Sequence, residues 1–182
     1  MTIDDAITLI GPAVHADDRA WADLGAGGGL FTRALRRLLG PAAHIVAVDR
    51  DPRAVATLAA ASVDAWRADF ADPAAWERLA LAGLDGALLA NALHFVPAAE
   101  QRATLDRVAG ALGEGGRLLV VEYDGRAPSR WVPHPVSFAR LGAIVPAGMT
   151  APVRVGERRS AYGGRMYAAV GTSGAVSRRG GA

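Results

Sequence analysis

The chain has 182 residues, a formal net charge of +2 and 51% hydrophobic residues, enough apolar material for one compact domain and too much for a disordered chain. It has no cysteine, which excludes disulfides, thiolate metal clusters and a cysteine nucleophile, and all 20 basic residues are arginine, which excludes Schiff-base, P-loop-lysine and amine-base chemistry. The longest uncharged run, between Asp85 and Glu100, is about 14 residues and is broken by Pro97, short of the ~18 of a membrane span; with Asp4 and Asp5 spoiling a signal peptide, a cytoplasmic protein without membrane contact is expected.

Helical and strand signals alternate from residue 20 to about 123, the pattern of a parallel sheet with helices on both faces. Residues 20–24 read as a strand. Leu30, Phe31, Ala34, Leu35, Leu38 and Leu39 then recur at helical spacing opposite Arg33, Arg36 and Arg37, up to a stop at Gly40-Pro41. Residues 44–48 form the second strand, Ala54, Val55, Leu58 and Ala59 mark a helix, and 63–68 form the third strand. Asp72-Pro73 opens a short helix, Asp as cap and Pro in the first turn. The near-continuous apolar run 86–90 suits a strand buried on both faces. Leu105, Val108, Ala109 and Leu112 line one side of a helix stopping at Gly113, and 117–122 is the fifth strand. Beyond Asp124 the composition changes: 125–135 is a loop rich in Pro, Arg and Trp, 136–145 one more helix, and 153–160 with 165–171 an antiparallel pair around Gly163-Gly164. The expected organisation is a single domain over 1–171 and a disordered Gly/Ser/Arg tail over 172–182.

The most informative segment is Asp23-Leu24-Gly25-Ala26-Gly27-Gly28-Gly29, between a strand and an amphipathic helix. Glycines there let the backbone turn tightly and approach a nucleotide closely. The pattern G-x-G-x-x-G, laid on Gly25 and Gly27, puts its third glycine at Leu30 and fails, whereas D-x-G-x-G-x-G fits. A carboxylate at this loop repels a pyrophosphate and attracts a sulfonium with an amino group, so Asp23 points to a cationic cofactor.

The segment resembles motif I of class I S-adenosylmethionine-dependent methyltransferases, and the likeness runs over residues 18–171 through four motifs in order. It implies a doubly wound, mostly parallel seven-stranded sheet with a closing antiparallel strand, the Rossmann-like methyltransferase fold. It also implies S-adenosyl-L-methionine as cofactor, held at the loop by Asp23, Gly25, Ala26 and Gly27. Asp49, followed by Arg50, stands where the family places the acid on both ribose hydroxyls, a job that suits two acceptor oxygens. Asp69 and Phe70 resemble the adenine pocket. Asn91-Ala92-Leu93-His94-Phe95 resembles the stretch that passes the methionine part and faces the acceptor, with Asn91 and Ala92 on the cofactor. The run from Leu112 to Glu122 resembles the turn into strand five, with Glu114 where Pro is more usual.

His94 and Tyr123, closing strands four and five at the sheet's carboxyl edge, are the candidate catalytic residues. His15, His44 and His134 lack ligand spacing, so no metal is expected. Trp131, His134 and Pro135 read as a lid or as a packed surface loop, and Tyr162 as pocket wall or turn anchor. Gly27 is expected to admit no side chain. No Asn/Asp-Pro-Pro-Tyr/Phe string follows strand four, which disfavours amino methylation of adenine or glutamine, and the lack of cysteine excludes an adduct route to cytosine C5. The expected reaction is O- or N-methylation of a small organic acceptor. Charge is uneven: residues 1–124 hold 11 Arg against 17 acids, for −6, and 125–182 hold 9 Arg against Glu157 alone, for +8. The basic third leaves an RNA methyltransferase as an alternative, with nucleic acid as a less favoured partner; a noncatalytic or nicotinamide-binding Rossmann-like protein is another. For an anionic small acceptor, Arg158 or Arg165 is the expected grip.

Overall fold

The structure, a computed structural model, describes residues 1–59, 63–160 and 163–174. Five parallel strands, β1 (Ala20–Leu24), β2 (His44–Asp49), β3 (Asp64–Arg67), β4 (Leu84–Ala90) and β5 (Leu112–Asp124), are joined by a hairpin of β6 (Val153–Arg159) and β7 (Arg165–Thr172). β7 pairs antiparallel with β5, giving the order β3-β2-β1-β4-β5-β7-β6. The chain winds outward from β1 to β3 and returns to β4 on the other side of β1, so the order reverses between β1 and β4, where ligands bind in open α/β sheets.

Side chains alternate across the strands and feed two cores. On one face α1 (Ile3–Ile10) and α2 (Leu30–Leu39) bury Leu9, Ile10, Phe31 and Leu35 against Trp21, Ile45, Leu88 and Leu119. On the other, α4 (Pro73–Leu79), α5 (Gln101–Ala111) and α6 (Phe138–Ile144) bury Leu79, Leu105, Val108 and Leu141 against Val46, Val48, Leu89 and Val120. Each such side chain contributes about 1.5–3 kcal/mol. α3 (Pro52–Ala59) links β2 to β3.

Three expectations are corrected. α1 lies in a stretch to which no element was assigned, although its start is written in the sequence: Thr2 Oγ1 accepts from Asp5 N (3.1 Å) and Asp5 Oδ2 accepts from Thr2 N (2.8 Å), a reciprocal cap. Leu112 and Gly113 belong to β5 rather than the preceding helix, because Leu112 already pairs with Leu84, and the strand bulges before Arg117 meets Gly86. The closing strand runs through Thr172, and Ser173 N and Gly174 N donate to the carbonyls of Gly116 and Gly148, so pairing extends past residue 171. The rest of the expected tail, 175–182, and Tyr162 lie outside the described residues.

Candidate functional site

At the carboxyl end of β1 the glycine loop is tied to β2: Gly25 N and Ala26 N both donate to the Val48 carbonyl, at 2.8 and 3.0 Å. Gly25 sits at φ 78°, and a Cβ there would stand 2.6 Å from Ala92 Cβ and 3.1 Å from Phe70 Cε1, so the loop packs directly on the ends of neighbouring segments. Gly27 differs. Its φ of 53° favours glycine, but no protein atom lies within 4 Å of its absent Cβ. Any crowding at Gly27 therefore has to come from an occupant of the cavity it lines.

Asp49, the last residue of β2, accepts from Gly27 N through Oδ2 (2.7 Å) and from Asp51 N through Oδ1 (2.8 Å) while staying half-exposed. Arg50 Nη1 stands 3.7 Å from Asp69 Oδ2, and Asp69 Oδ1 accepts from Ala71 N. Phe70 is buried, its carbonyl accepting from Trp76 Nε1. Asn91 adopts φ 53°, donates its backbone N–H to Val121, and leaves Oδ1 buried without a partner among the described residues. Gly25, Ala26, Gly27, Asp49, Arg50, Asp69, Phe70, Asn91 and Ala92 all line one cavity of about 720 Å³, within the range of small-molecule sites.

Asp23 is placed otherwise. It is fully buried beneath the loop and does not line the cavity; Oδ2 accepts from the Thr32 hydroxyl (2.6 Å) and Oδ1 has no partner among the described residues. Burial pushes its carboxyl up to about 7, against the Thr32 hydrogen bond and helped by the nearby charge of Asp49. Its influence on a ligand is therefore a field from below rather than a direct contact.

His94 lies in the one-turn 3-10 helix Leu93–Phe95 that follows β4. Its ring is buried and Nδ1 stands 2.7 Å from Glu122 Oε2, while its backbone N donates to Glu122 Oε1 (3.1 Å). A carboxylate only accepts, so Nδ1 donates the hydrogen of this bond. Glu122, fully buried, is a candidate site residue whose pairing with His94 the sequence reading did not assign; there it only ends the run into strand five. The readable signal is a charged residue inside an apolar strand, which has to be paired. Tyr123, half-buried, has its ring 6.2 Å from that of His94. Phe95, 46% exposed and 4.4 Å from the His94 ring, lines the cavity and connects it to this pair. Neither His94 nor Tyr123 lines the cavity itself.

Three of the seven described arginines of the basic third are ion-paired. Arg154 pairs with Asp124 and Glu157, Arg158 with Asp5 (3.0 Å), and Arg165 with Glu157 (2.6 Å), so Arg158 and Arg165 do not line the cavity as expected. Burial pushes the Asp124 carboxyl up, but Arg154 and the Phe138 amide outweigh it and hold it below the usual range. His134 N donates to the His94 carbonyl (3.0 Å) and its own carbonyl accepts from Gln101 Nε2, so it stitches the loop down, while Trp131 is 66% exposed. His15, Asp17 and Asp18 lie near enough to share a cation, but Asp18 is already bonded to Trp21 Nε1 and Arg117. Among the described residues no helix is long and apolar enough to cross a membrane.

A family model described as a methyltransferase domain matches residues 22–118. No curated protein matches the chain. Among solved structures, human N-acetylserotonin methyltransferase in complex with SAM is 19% identical with a TM-score of 0.68, covering 93% of this chain and 52% of its own. The 1,6-didemethyltoxoflavin-N1-methyltransferase of Burkholderia thailandensis, bound to 1,6-didemethyltoxoflavin and S-adenosylhomocysteine, is 20% identical with a TM-score of 0.70, covering 94% and 78%. Magnesium protoporphyrin IX methyltransferase from Synechocystis PCC 6803 is 15% identical with a TM-score of 0.67, covering 94% and 77%. At these identities the likeness shows the fold, and the chain spans about half the length of the first of these structures.

Proposed function

The chain belongs to the methyltransferase-domain family, and from that premise we propose that it transfers a methyl group from S-adenosylmethionine to an oxygen or nitrogen of a small organic acceptor. The carrying observation is the junction of two parts: a cavity walled by the glycine loop, Asp49, Asp69 and Asn91, and the buried His94–Glu122 pair that Phe95 joins to it. The cavity residues fit the cofactor. Asp49 is a half-exposed double acceptor for a diol, Phe70 an apolar wall for a flat ring, and the partnerless Asn91 Oδ1 an acceptor for an ammonium group. When bound, S-adenosylmethionine supplies a methyl carbon already activated by its sulfonium, so the protein's work is alignment and proton removal. Glu122 orients the His94 ring through Nδ1; in this reading the neutral ring takes the acceptor's proton at Nε2 and Glu122 stabilises the imidazolium that forms.

Small acceptors are named in the descriptions of the human and Burkholderia relatives, which supports the same class here. An RNA acceptor is disfavoured because Arg154, Arg158 and Arg165 are neutralised by Asp124, Asp5 and Glu157. The test is calorimetry with S-adenosylhomocysteine and with NADPH, then turnover of His94→Ala. Binding of the first ligand alone, and a ~10²–10⁴-fold loss of kcat with S-adenosylhomocysteine affinity kept, are expected. Preference for NADPH overturns the cofactor assignment, and a loss of only a few-fold overturns the base.

A further inference from the structure

Between β3 and α4 a turn brings Asp69, Phe70, Ala71 and Asp72 together into the wall of the cavity. Two of its amides are satisfied from within: Ala71 N donates to Asp69 Oδ1 (2.9 Å) and Asp72 N to the Asp69 carbonyl (3.1 Å). Two of its carbonyls are held from outside. Trp76 Nε1, on α4, donates to the Phe70 carbonyl (2.8 Å), and Arg107 Nη2, on α5, donates to the Ala71 carbonyl (2.8 Å) across 36 residues of sequence. Both side chains come from half-buried residues, and Trp76 also packs against the core on this face of the sheet. Arg107 Nη2 donates in addition to the buried Thr104 hydroxyl (3.0 Å), and no carboxylate pairs with Arg107 among the described residues. Its hold on the turn is a charge-assisted bond, the stronger class of hydrogen bond.

Three successive peptides are thereby fixed: Asp69–Phe70 through its carbonyl, and Phe70–Ala71 and Ala71–Asp72 through carbonyl and N–H alike. The internal bonds close the turn on itself; Trp76 and Arg107 tie it to two helices and so set where it stands in the cavity wall. What the turn leaves over is a donor and an acceptor on neighbouring residues: the Phe70 N–H, without a partner among the described residues, and Asp69 Oδ2, which has Arg50 Nη1 at 3.7 Å. A 6-aminopurine presents the complementary pair on one edge, a ring nitrogen that accepts beside an exocyclic amine that donates. A 6-oxopurine reverses both, with a ring N–H beside a carbonyl oxygen. Against a fixed turn the reversal sets donor against donor and acceptor against acceptor, whereas a turn free to rotate its peptides accommodates either base.

We propose that Trp76 and Arg107 are positioning residues through which the cavity selects a 6-aminopurine over a 6-oxopurine. This rests on the methyltransferase reading, which supplies the base, the adenine of S-adenosylmethionine. The probes are S-adenosylhomocysteine and its deaminated analogue S-inosylhomocysteine, titrated calorimetrically into the full native chain, Trp76→Phe and Arg107→Met. The first substitution keeps an aromatic ring and removes the indole N–H; the second keeps an apolar stem and removes the guanidinium. The native chain is expected to prefer the adenine ligand roughly 100-fold, and the ratio to fall to roughly 10-fold or less in each variant, through weaker binding of the adenine ligand. A merely structural role lowers thermal stability or weakens both ligands alike and leaves the ratio unchanged. Arg102→Met, at an exposed position of α5 paired only with Asp106, is the control expected to leave it so. Equal native affinity for the two ligands, or the native ratio retained in either variant, overturns the proposal; should Arg107→Met fail to fold, Trp76→Phe decides alone. Failure of the native chain to bind S-adenosylhomocysteine overturns the methyltransferase reading and the proposal with it, whereas tight binding with an unchanged ratio overturns the positioning role alone.

Discussion

Beneath β1 and β2 the cavity is walled mainly by backbone: three left-handed glycines, two amides on the Val48 carbonyl, and Asp49 closing the loop through Gly27 N. Beside the cavity, at the ends of β4 and β5, stand side-chain pairs that meet across long stretches of sequence, His94 on Glu122 and Arg154 on Asp124. The first construction leaves little to vary, since its geometry is dictated by turn conformation and close packing. The second is a set of replaceable pairs on a fixed sheet. One end is suited to an invariant ligand and the other to whatever acceptor the pairs are tuned for, which is how one fold serves many reactions.

The division makes claims of graded size. Glu122→Ala strands a buried imidazole and its backbone amide, and chemical denaturation should show about 3–5 kcal/mol lost, the cost of breaking a buried pair from one side. A loss under 1 kcal/mol would mean the pair is not the anchor of the acceptor end. Gly25→Ala adds the strain of a left-handed alanine to contact with Ala92 and Phe70, for roughly 2–4 kcal/mol. Gly27→Ala, with open space around it, should cost markedly less stability while impairing S-adenosylhomocysteine binding; equal destabilisation of the two variants would blur the distinction between packed and ligand-facing glycines.

Asp23 gives an effect of definite sign. Its carboxyl titrates near 7 in the folded chain against 3.8 in the unfolded one, so between those values the folded state holds a proton the unfolded state has lost. Stability therefore falls as pH rises from about 4 to about 7, and is flat beyond. Asp23→Asn removes this slope: melting temperatures of the two chains should nearly agree at pH 4 and favour the variant at pH 8. A native chain more stable at pH 8 than the variant would show that Asp23 is stabilised as an anion, contrary to its burial.

What could be read in advance follows the same line. The strands, the glycine loop and Asp49, Asp69 and Asn91 were legible because each is a local signal, an apolar period or a short motif at a strand end. Glu122 as the partner of His94 was not, because 28 residues separate them and only sheet pairing brings β5 beside the turn after β4. Arg158 and Arg165 were assigned to a ligand for a similar reason: Asp5 is recognisable as the partner of Arg158 only once α1 is seen to pack beside β6, and Glu157 as that of Arg165 only in the register of the β6–β7 pair. Asp23 was legible as a motif residue and illegible as a buried acid.

Asp124 carries one more implication. Its Oδ1 accepts from Phe138 N and its Oδ2 from Arg154, so a single side chain clasps both ends of the segment between β5 and α6, which includes Arg126, Trp131 and His134. A loop whose ends are already joined can change its length at little cost, about 0.6 kcal/mol for each doubling. Insertions and exchanges in the exposed stretch 127–131 are therefore nearly invisible to the sheet, while Val132 and Val136 are buried and His134 is hydrogen-bonded on both sides. In evolutionary terms the clasp makes this segment a cassette: its exposed residues can be rewritten without reopening the question of how the protein folds.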